Sequence, residues 1–202
     1  MFDVLQLHQA LVREARPSGA EQTGIAAVLK EMAAPLVDEI TTDAMGNLIC
    51  HKKGEGKKVM LAAHMDAIGF MVTGIDEKGF LSITNIGWHD PAEIINARVQ
   101  FPCGLHGIIR PRERAKTLSG SWTSIKMTDL YVDIGAANYA DAAKKVKIGD
   151  MAVFEGLPHA AGPYRIQGPY ADDLIGCVVL LLVMEELESS PYDVYFVFST
   201  QE

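Results

Sequence analysis

The sequence predicts an α/β domain interrupted by a β-rich insertion, and three observations carry that reading. Helical spacing of apolar residues appears near both ends of the chain. Two strongly apolar strands, one before His64 and one before Glu202, end on side chains that carry chemistry. Between them the texture turns to short apolar runs cut by Gly, Pro and Asn, as in compact β-modules. The expected organisation is residues 1–68 as the first segment of the α/β domain, 69–162 as the insertion and 163–202 as the second α/β segment.

Each element follows from local pattern. Phe2, Leu5, Val12 and their neighbours recur at helical spacing over 2–15. Ser18 and Glu21 then form an S-x-x-E capping box ahead of a second helical stretch to about Leu36. Residues 38–40 and 48–50 read as a strand pair around the turn 43–47, and Gly54-Glu55-Gly56 turns the chain into the apolar strand that ends at His64. In the insertion, strands are expected over 70–72, 80–83, 97–101, 107–109, 131–135 and 151–154, with a short helix over 141–145. The helical pattern returns at Asp172, apolar nearly all round over 174–187 and hence expected to be buried. Aromatic and β-branched residues over 195–198 make the last strand. A strand of this kind ending the chain is expected to lack a neighbour and covering helices, leaving an apolar edge. Trp122, Met127 and the other large apolar residues read as core.

With 49% hydrophobic and 22% charged residues among 202, the composition is that of a soluble globular chain. A net charge of −8 argues against a nucleic-acid or anionic-membrane surface. The basic runs Lys52-Lys53, Lys57-Lys58 and 110–116 read as solvated loops. Cys50, Cys103 and Cys177 are isolated and odd in number, which fits reduced thiols. No signal-peptide pattern opens the chain, and the longest apolar run, 174–184, is far shorter than the ~20 residues of a membrane span. A cytoplasmic location is expected.

Three short constellations carry chemistry. His64 and Asp66 share one face of an extended chain at the carboxyl end of a strand, where open α/β sheets place their sites. The imidazole there is suited to ligate zinc with the carboxylate orienting it; alternatively His64 merely ends a strand and Asp66 caps a turn. Asp172 and Asp173 open the buried helix, either as a cap that suits the helix dipole or as carboxylates able to bridge two divalent cations. Glu202 either meets solvent or serves as a general base beside a metal site. His8, His51, His89, His106 and His159 lack ligand spacing and read as surface or core residues.

Taken together, these segments resemble a known family. The stretch 61–72, Leu-Ala-Ala-His-Met-Asp-Ala-Ile-Gly-Phe-Met-Val, resembles the metal-binding strand of the glutamyl aminopeptidase or "cellulase M" family, dizinc aminopeptidases that form tetrahedral shells. Residues 75–81, 129–136, 147–150, 172–177 and 194–202 are similar to further segments of that family, in order along essentially the whole chain. The resemblance implies a three-layer α/β/α zinc-peptidase domain, incomplete here, with an inserted, partly open barrel-like dimerisation domain. It implies two divalent metal ions, zinc before cobalt or manganese, with His64 ligating one and Asp172 bridging both. Asp66 would orient His64, and Glu202 would be the general base. The substrate would be a peptide losing its N-terminal residue, and the protein a homo-oligomer through 69–162, with neither nucleic acid nor membrane as partner.

Two departures qualify what the resemblance implies. Leu174 stands where the family usually has a basic residue after the Asp pair, and the family's further Glu, Asp and His ligands are not in this chain. The 202 residues alone are therefore expected to bind zinc poorly and to lack peptidase activity. Two other functions stand beside it: a non-catalytic subunit or remnant kept for self-association through 69–162, and, suggested by the resembling family's old name, a glycosidase using Asp66 and Glu202 as its two carboxylates.

Overall fold

The computed structural model describes residues 3–112 and 125–202. Phe2, Trp122 and the 113–116 portion of the third basic run lie outside these residues. The described chain divides into two compact units, Met1–Ala67 with Gly156–Glu202, and Ile68–Glu155. The expected boundaries were 68/69 and 162/163.

The first unit is a four-stranded sheet with helices on one face. Helix α1 (Val4–Arg13) starts where the Asp3 carboxylate accepts the Gln6 amide proton, and it buries Leu7, His8, Leu11 and Val12. Helix α2 (Ile25–Ala33) buries Ile25, Ala26, Leu29 and Ala33. It begins at Gly24 with no side-chain cap, so the expected capping box at Ser18 and Glu21 does not form. A one-turn 3-10 helix, Glu21–Thr23, stands there instead.

Strands β1 (Glu39–Thr42) and β2 (Leu48–Lys52) form an antiparallel hairpin. Asp43 shapes its turn by accepting the amide protons of Met45 and Asn47. Strands β3 (Lys58–His64) and β12 (Asp193–Ser199) complete the sheet in the order β1-β2-β12-β3. The expectation of a neighbourless last strand is thus corrected. β12 lies inside the sheet, antiparallel to β2 and parallel to β3 over their full seven-residue register from Asp193–Lys58 to Ser199–His64. The aromatic composition that marked it as buried is used between two partners, and β1 and β3 are the strands left at the edges among the described residues. Lys52 and Lys58 sit in these strands rather than in loops.

Burial alternates along β12: Val194, Phe196 and Phe198 are buried, together with Leu48, Cys50 and Ala63 on neighbouring strands. Residues of opposite parity are half-buried on β2 and β12, as Ile49, Tyr195 and Val197 are, and exposed on β3, as Met60 and Ala62 are. One sheet face is therefore covered and the other open. Helix α4 (Ala171–Glu186) supplies Leu174, Cys177, Val178, Leu180, Leu181 and Met184 to the covered side. Its other flank is not buried as expected, since Val179 is half exposed. The unit also holds a two-residue hairpin, β10 (His159–Ala160) with β11 (Ile166–Gln167), which the sequence pattern does not foretell.

The second unit is a closed six-stranded barrel. Its strands are β4 (Gly69–Ile75), β5 (Leu81–Ile86), β6 (Arg98–Gln100), β7 (His106–Pro111), β8 (Leu130–Asp133) and β9 (Met151–Phe154). They pair in the order β4-β5-β8-β7-β6-β9. The partly open barrel implied by resemblance is instead sealed by pairing of Phe70 and Met71 with Ala152 and Met151. Closure gives each strand two neighbours and removes exposed edges. Inside are Phe70, Val72, Leu81, Ile83, Val99, Phe101, Ile109, Leu130 and Val132. Gly79, at φ +87°, lets the β4–β5 hairpin close, while the Asp76 carboxylate accepts from the amides of Lys78 and Phe80. A one-turn helix α3 (Tyr139–Ala142), capped by the Asn138 side chain, places Ala142 against the core.

Candidate functional site

The parallel pairing of β3 and β12 brings two of the sequence-predicted segments to the same sheet end. Ser199 is the register partner of His64, so the chain leaving β12 toward Glu202 runs beside the chain leaving β3 toward Asp66. The carboxyl ends of parallel strands are where an open α/β sheet leaves a crevice.

His64 lies at the end of β3 with its side chain 15% exposed. Its Nε2 is 3.1 Å from Oδ1 of Asp172, whose side chain is almost wholly in solvent. On the other side of the ring, Nδ1 is 3.4 Å from Oδ1 of Asp66, a charge contact rather than an aligned hydrogen bond, which leaves that buried nitrogen without a bonded partner. The Cys177 thiol of α4 donates to the His64 carbonyl oxygen at 3.2 Å and ties the strand end to the helix.

Asp172 and Asp173 fall in the first turn of α4, but neither has helical backbone angles, and the peptide bond between them is cis. Tyr170 just before them is left-handed at φ 60°. Tyr170, which opens the helix, makes no side-chain cap bond, while the Asp173 carboxylate lies against Gly176 one turn further on. The His8 ring, buried in α1, approaches the Tyr170 carbonyl at 3.4 Å and supports this bend. Leu174 is fully buried, a core position rather than part of the site's charge balance.

Asp66 is 4% exposed, and both its oxygens are engaged. Oδ2 accepts from the Ser18 hydroxyl, and Oδ1 accepts from the backbone amide of Glu202 at 3.2 Å. Glu202 itself is exposed, and its charge is felt at His64. The structure thus joins His64 to Asp66 and Asp172, and reaches Glu202 through its main chain.

The electrostatics are those of a basic ring among acids. Burial of His64 lowers its pKa, but the hydrogen bond to Asp172 and the charges of Asp66, Glu202 and Asp173 outweigh burial and raise it overall. A cation at Nε2 is what this surrounding favours. Two donors bound at 2.0–2.1 Å to one tetrahedral zinc stand about 3.3 Å apart, close to the observed Nε2–Oδ1 separation. The nitrogen–oxygen pair therefore fits a shared divalent ion. Among the described residues no set of three or more His, Cys, Asp or Glu side chains converges.

Sequence reasoning missed Ser18 and Glu21, whose partners lie 48 and 180 residues away in the chain. Glu21 is buried, and its Oε1 accepts the Gln201 amide proton at 3.1 Å. The remaining histidines fall outside the site. His51 pairs with Asp193 at 2.6 Å, His89 contacts the Gly69 carbonyl, and His106 lies 3.3 Å from Glu155.

A family model described as M42 glutamyl aminopeptidase matches residues 46–202. A relative from Acetivibrio thermocellus, provisionally named an aminopeptidase, is 39% identical over all of this chain and 58% of its own length. The solved aminopeptidase APDkam598 of Desulfurococcus kamchatkensis superposes with a TM-score of 0.90 at 30% identity, over 98% of this chain and 56% of that one. The TET1 peptidase of Pyrococcus horikoshii, which assembles into a tetrahedron or a large octahedral shell, gives 0.87 at 28% identity, over 99% and 62%. The chain spans somewhat under three fifths of the length of the curated relatives it matches.

Proposed function

This chain belongs to the M42 glutamyl aminopeptidase family, and we propose that it carries part of the site of a metal-dependent aminopeptidase that removes N-terminal residues from peptides. The observation that carries this reading is the 3.1 Å approach of His64 Nε2 to Asp172 Oδ1 at the carboxyl end of a parallel strand pair. In the proposed roles His64 would hold one divalent ion, zinc by preference, and Asp172 would contribute its carboxylate to that ion and to a second. Such ions supply Lewis acidity that polarises the scissile carbonyl and makes water a stronger acid. Asp66 stands 3.4 Å from Nδ1 of His64, where its charge would favour a proton on that nitrogen once an ion takes Nε2. Glu202 acts as the general base that takes a proton from attacking water and returns it to the leaving amine.

Two protein donors are one fewer than the three of a typical catalytic zinc, so this reading requires at least one more ligand beyond the described set. Zinc binding by residues 1–202 alone is accordingly expected to be weak, and peptide hydrolysis by them alone absent. The three unpaired cysteines suit a cytoplasmic setting, and no described helix is long and apolar enough to cross a membrane. We also assign self-association to the barrel unit, by analogy with the oligomeric relatives.

A carboxylate-pair glycosidase fits the site poorly. Asp66 is buried and held on both oxygens, so it is not free to donate a proton to a leaving group or attack a sugar. The test uses the protein purified from the cells that make it, assayed for release of N-terminal residues from short peptides. Activity that is lost to a chelator, restored by zinc and absent in Asp172→Ala supports the proposal. Activity indifferent to chelation overturns it.

A further inference from the structure

Residues 17–21 touch both strand ends at the site, and none of the roles above uses them. Pro17, Ser18, Gly19 and Ala20 form a β-turn closed by the Ala20 amide and the Pro17 carbonyl at 2.9 Å, with Gly19 at φ +90° as the third residue of a type II turn requires. On the side of β3, Pro17 bridges to Ala67, the Ala67 amide donates to the Arg16 carbonyl at 2.9 Å, and the Ser18 hydroxyl donates to Asp66. On the side of β12, Glu21 accepts from the Gln201 amide. These contacts converge on two groups. One is Asp66, the carboxylate facing His64 Nδ1; the other is the main chain that carries Glu202.

We propose that residues 17–21 are a positioning brace for the site: Ser18 fixes Asp66 against the His64 ring, and Glu21 fixes the strand end that presents Glu202. The physical argument starts from Asp66. A carboxylate with one oxygen toward an imidazole still has rotational freedom about its own side-chain bonds. The Ser18 hydroxyl and the Glu202 amide each engage one oxygen and remove that freedom. With the carboxylate fixed 3.4 Å from Nδ1, its charge would favour a proton on that nitrogen once an ion takes Nε2. Glu21 acts separately. A buried carboxylate accepting a main-chain amide is a charge-assisted bond, and it stands one residue from the proposed base.

This deepens the proposed metal site, and its test has a readout that needs no metal. In the metal-free chain the Glu202 amide proton, donated to Asp66, should be protected from exchange with water. In Ser18→Ala its exchange should quicken about tenfold or more, while Ser18→Thr, which keeps the hydroxyl, should restore protection. Zinc titration of the same proteins should show the dissociation constant rising about tenfold in Ser18→Ala, the lower end of what loss of such an outer partner costs. In Glu21→Leu the Gln201 amide should lose its protection, and Glu21→Gln should recover part of it. Should Ser18→Ala fail to fold, Ser18→Cys keeps the volume with a weak donor and shifts exchange in the same direction. A Glu202 amide equally protected with and without the Ser18 hydroxyl overturns the brace. Zinc affinity unchanged in His64→Ala overturns the metal reading instead, and the Glu202 amide comparison still decides the brace.

Discussion

In the barrel unit every strand has two neighbours, whereas in the sheet unit β1 and β3 have one each among the described residues. The barrel turns its apolar side chains onto one another and is complete as a core. The sheet covers one face with α1, α2 and α4 and leaves Met60 and Ala62 exposed on the other. Titratable groups follow the same division. Arg98–Glu155 and His106–Glu155 pair on the barrel's surface, while His64, Asp66, Asp172 and Glu202 gather at the sheet's carboxyl ends. Closure builds a stable body, and an open sheet leaves crevices at its carboxyl ends, where the proposed site lies.

The largest expected effects test whether both cores are equally well packed on their closed sides. Phe70→Ala in the barrel and Phe196→Ala in the sheet each remove a fully buried ring, and each should cost about 3–5 kcal/mol in denaturant unfolding. A sheet value near zero would mean its covered face is not a true core. Thiol labelling reads the same contrast without mutation. Burial pushes the Cys50 thiol up to about 12, and burial first, then the Asp173 and Asp66 charges, raises Cys177 as well. Cys103 is exposed on a barrel loop. A disulfide reagent should label Cys103 first, with Cys50 slower by at least about tenfold because burial hides it and disfavours its thiolate. Comparable rates at all three would remove the distinction between a closed face and an open one.

A smaller effect concerns Asp193 on β12, whose carboxyl is held below its ordinary range, chiefly by the hydrogen bond from His51. A carboxyl with a depressed folded-state pKa stabilises the fold above its unfolded pKa, and that contribution disappears as pH falls through the lower, folded value. Acid unfolding of Asp193→Asn should therefore be less steep than that of the parent below about pH 4, the unfolded carboxyl value. Identical acid profiles would show that the pair adds nothing. The smallest effect is at Met60, 69% exposed on the open face. Met60→Lys should change stability by no more than about 0.5 kcal/mol while reducing any association through the β3 edge, measured by sedimentation. A loss well beyond that would mean this face is covered after all.

Much of the fold was legible because it is written in local periodicity. The strands over 70–72, 80–83 and 151–154, the helix after Asp172 and the apolar run before His64 all form where alternation or helical spacing puts them. What was not legible depends on distant partners. The capping box at Ser18 and Glu21 is a sound local signal, yet Ser18 turns to Asp66 and Glu21 to Gln201, because buried acceptors and donors there need partners more than a helix start does. The place of β12 between β2 and β3 is likewise a matter of pairing, and no feature of residues 193–199 alone specifies it. At the site, H-x-D and the Asp pair were readable as residue types. Their 3.1 Å meeting depends on α4 packing beside β3, and on a bend at the start of α4 that no residue at 172–173 announces.

The most direct test of the central claim is a zinc titration of the chain followed by the ring nitrogen signals of His64. If His64 and Asp172 are a shared ligand pair, the Nε2 signal moves with added zinc, and binding falls at least about tenfold in both His64→Ala and Asp172→Ala. Zinc that binds with unchanged affinity in both variants, leaving Nε2 unmoved in the parent, would contradict the account.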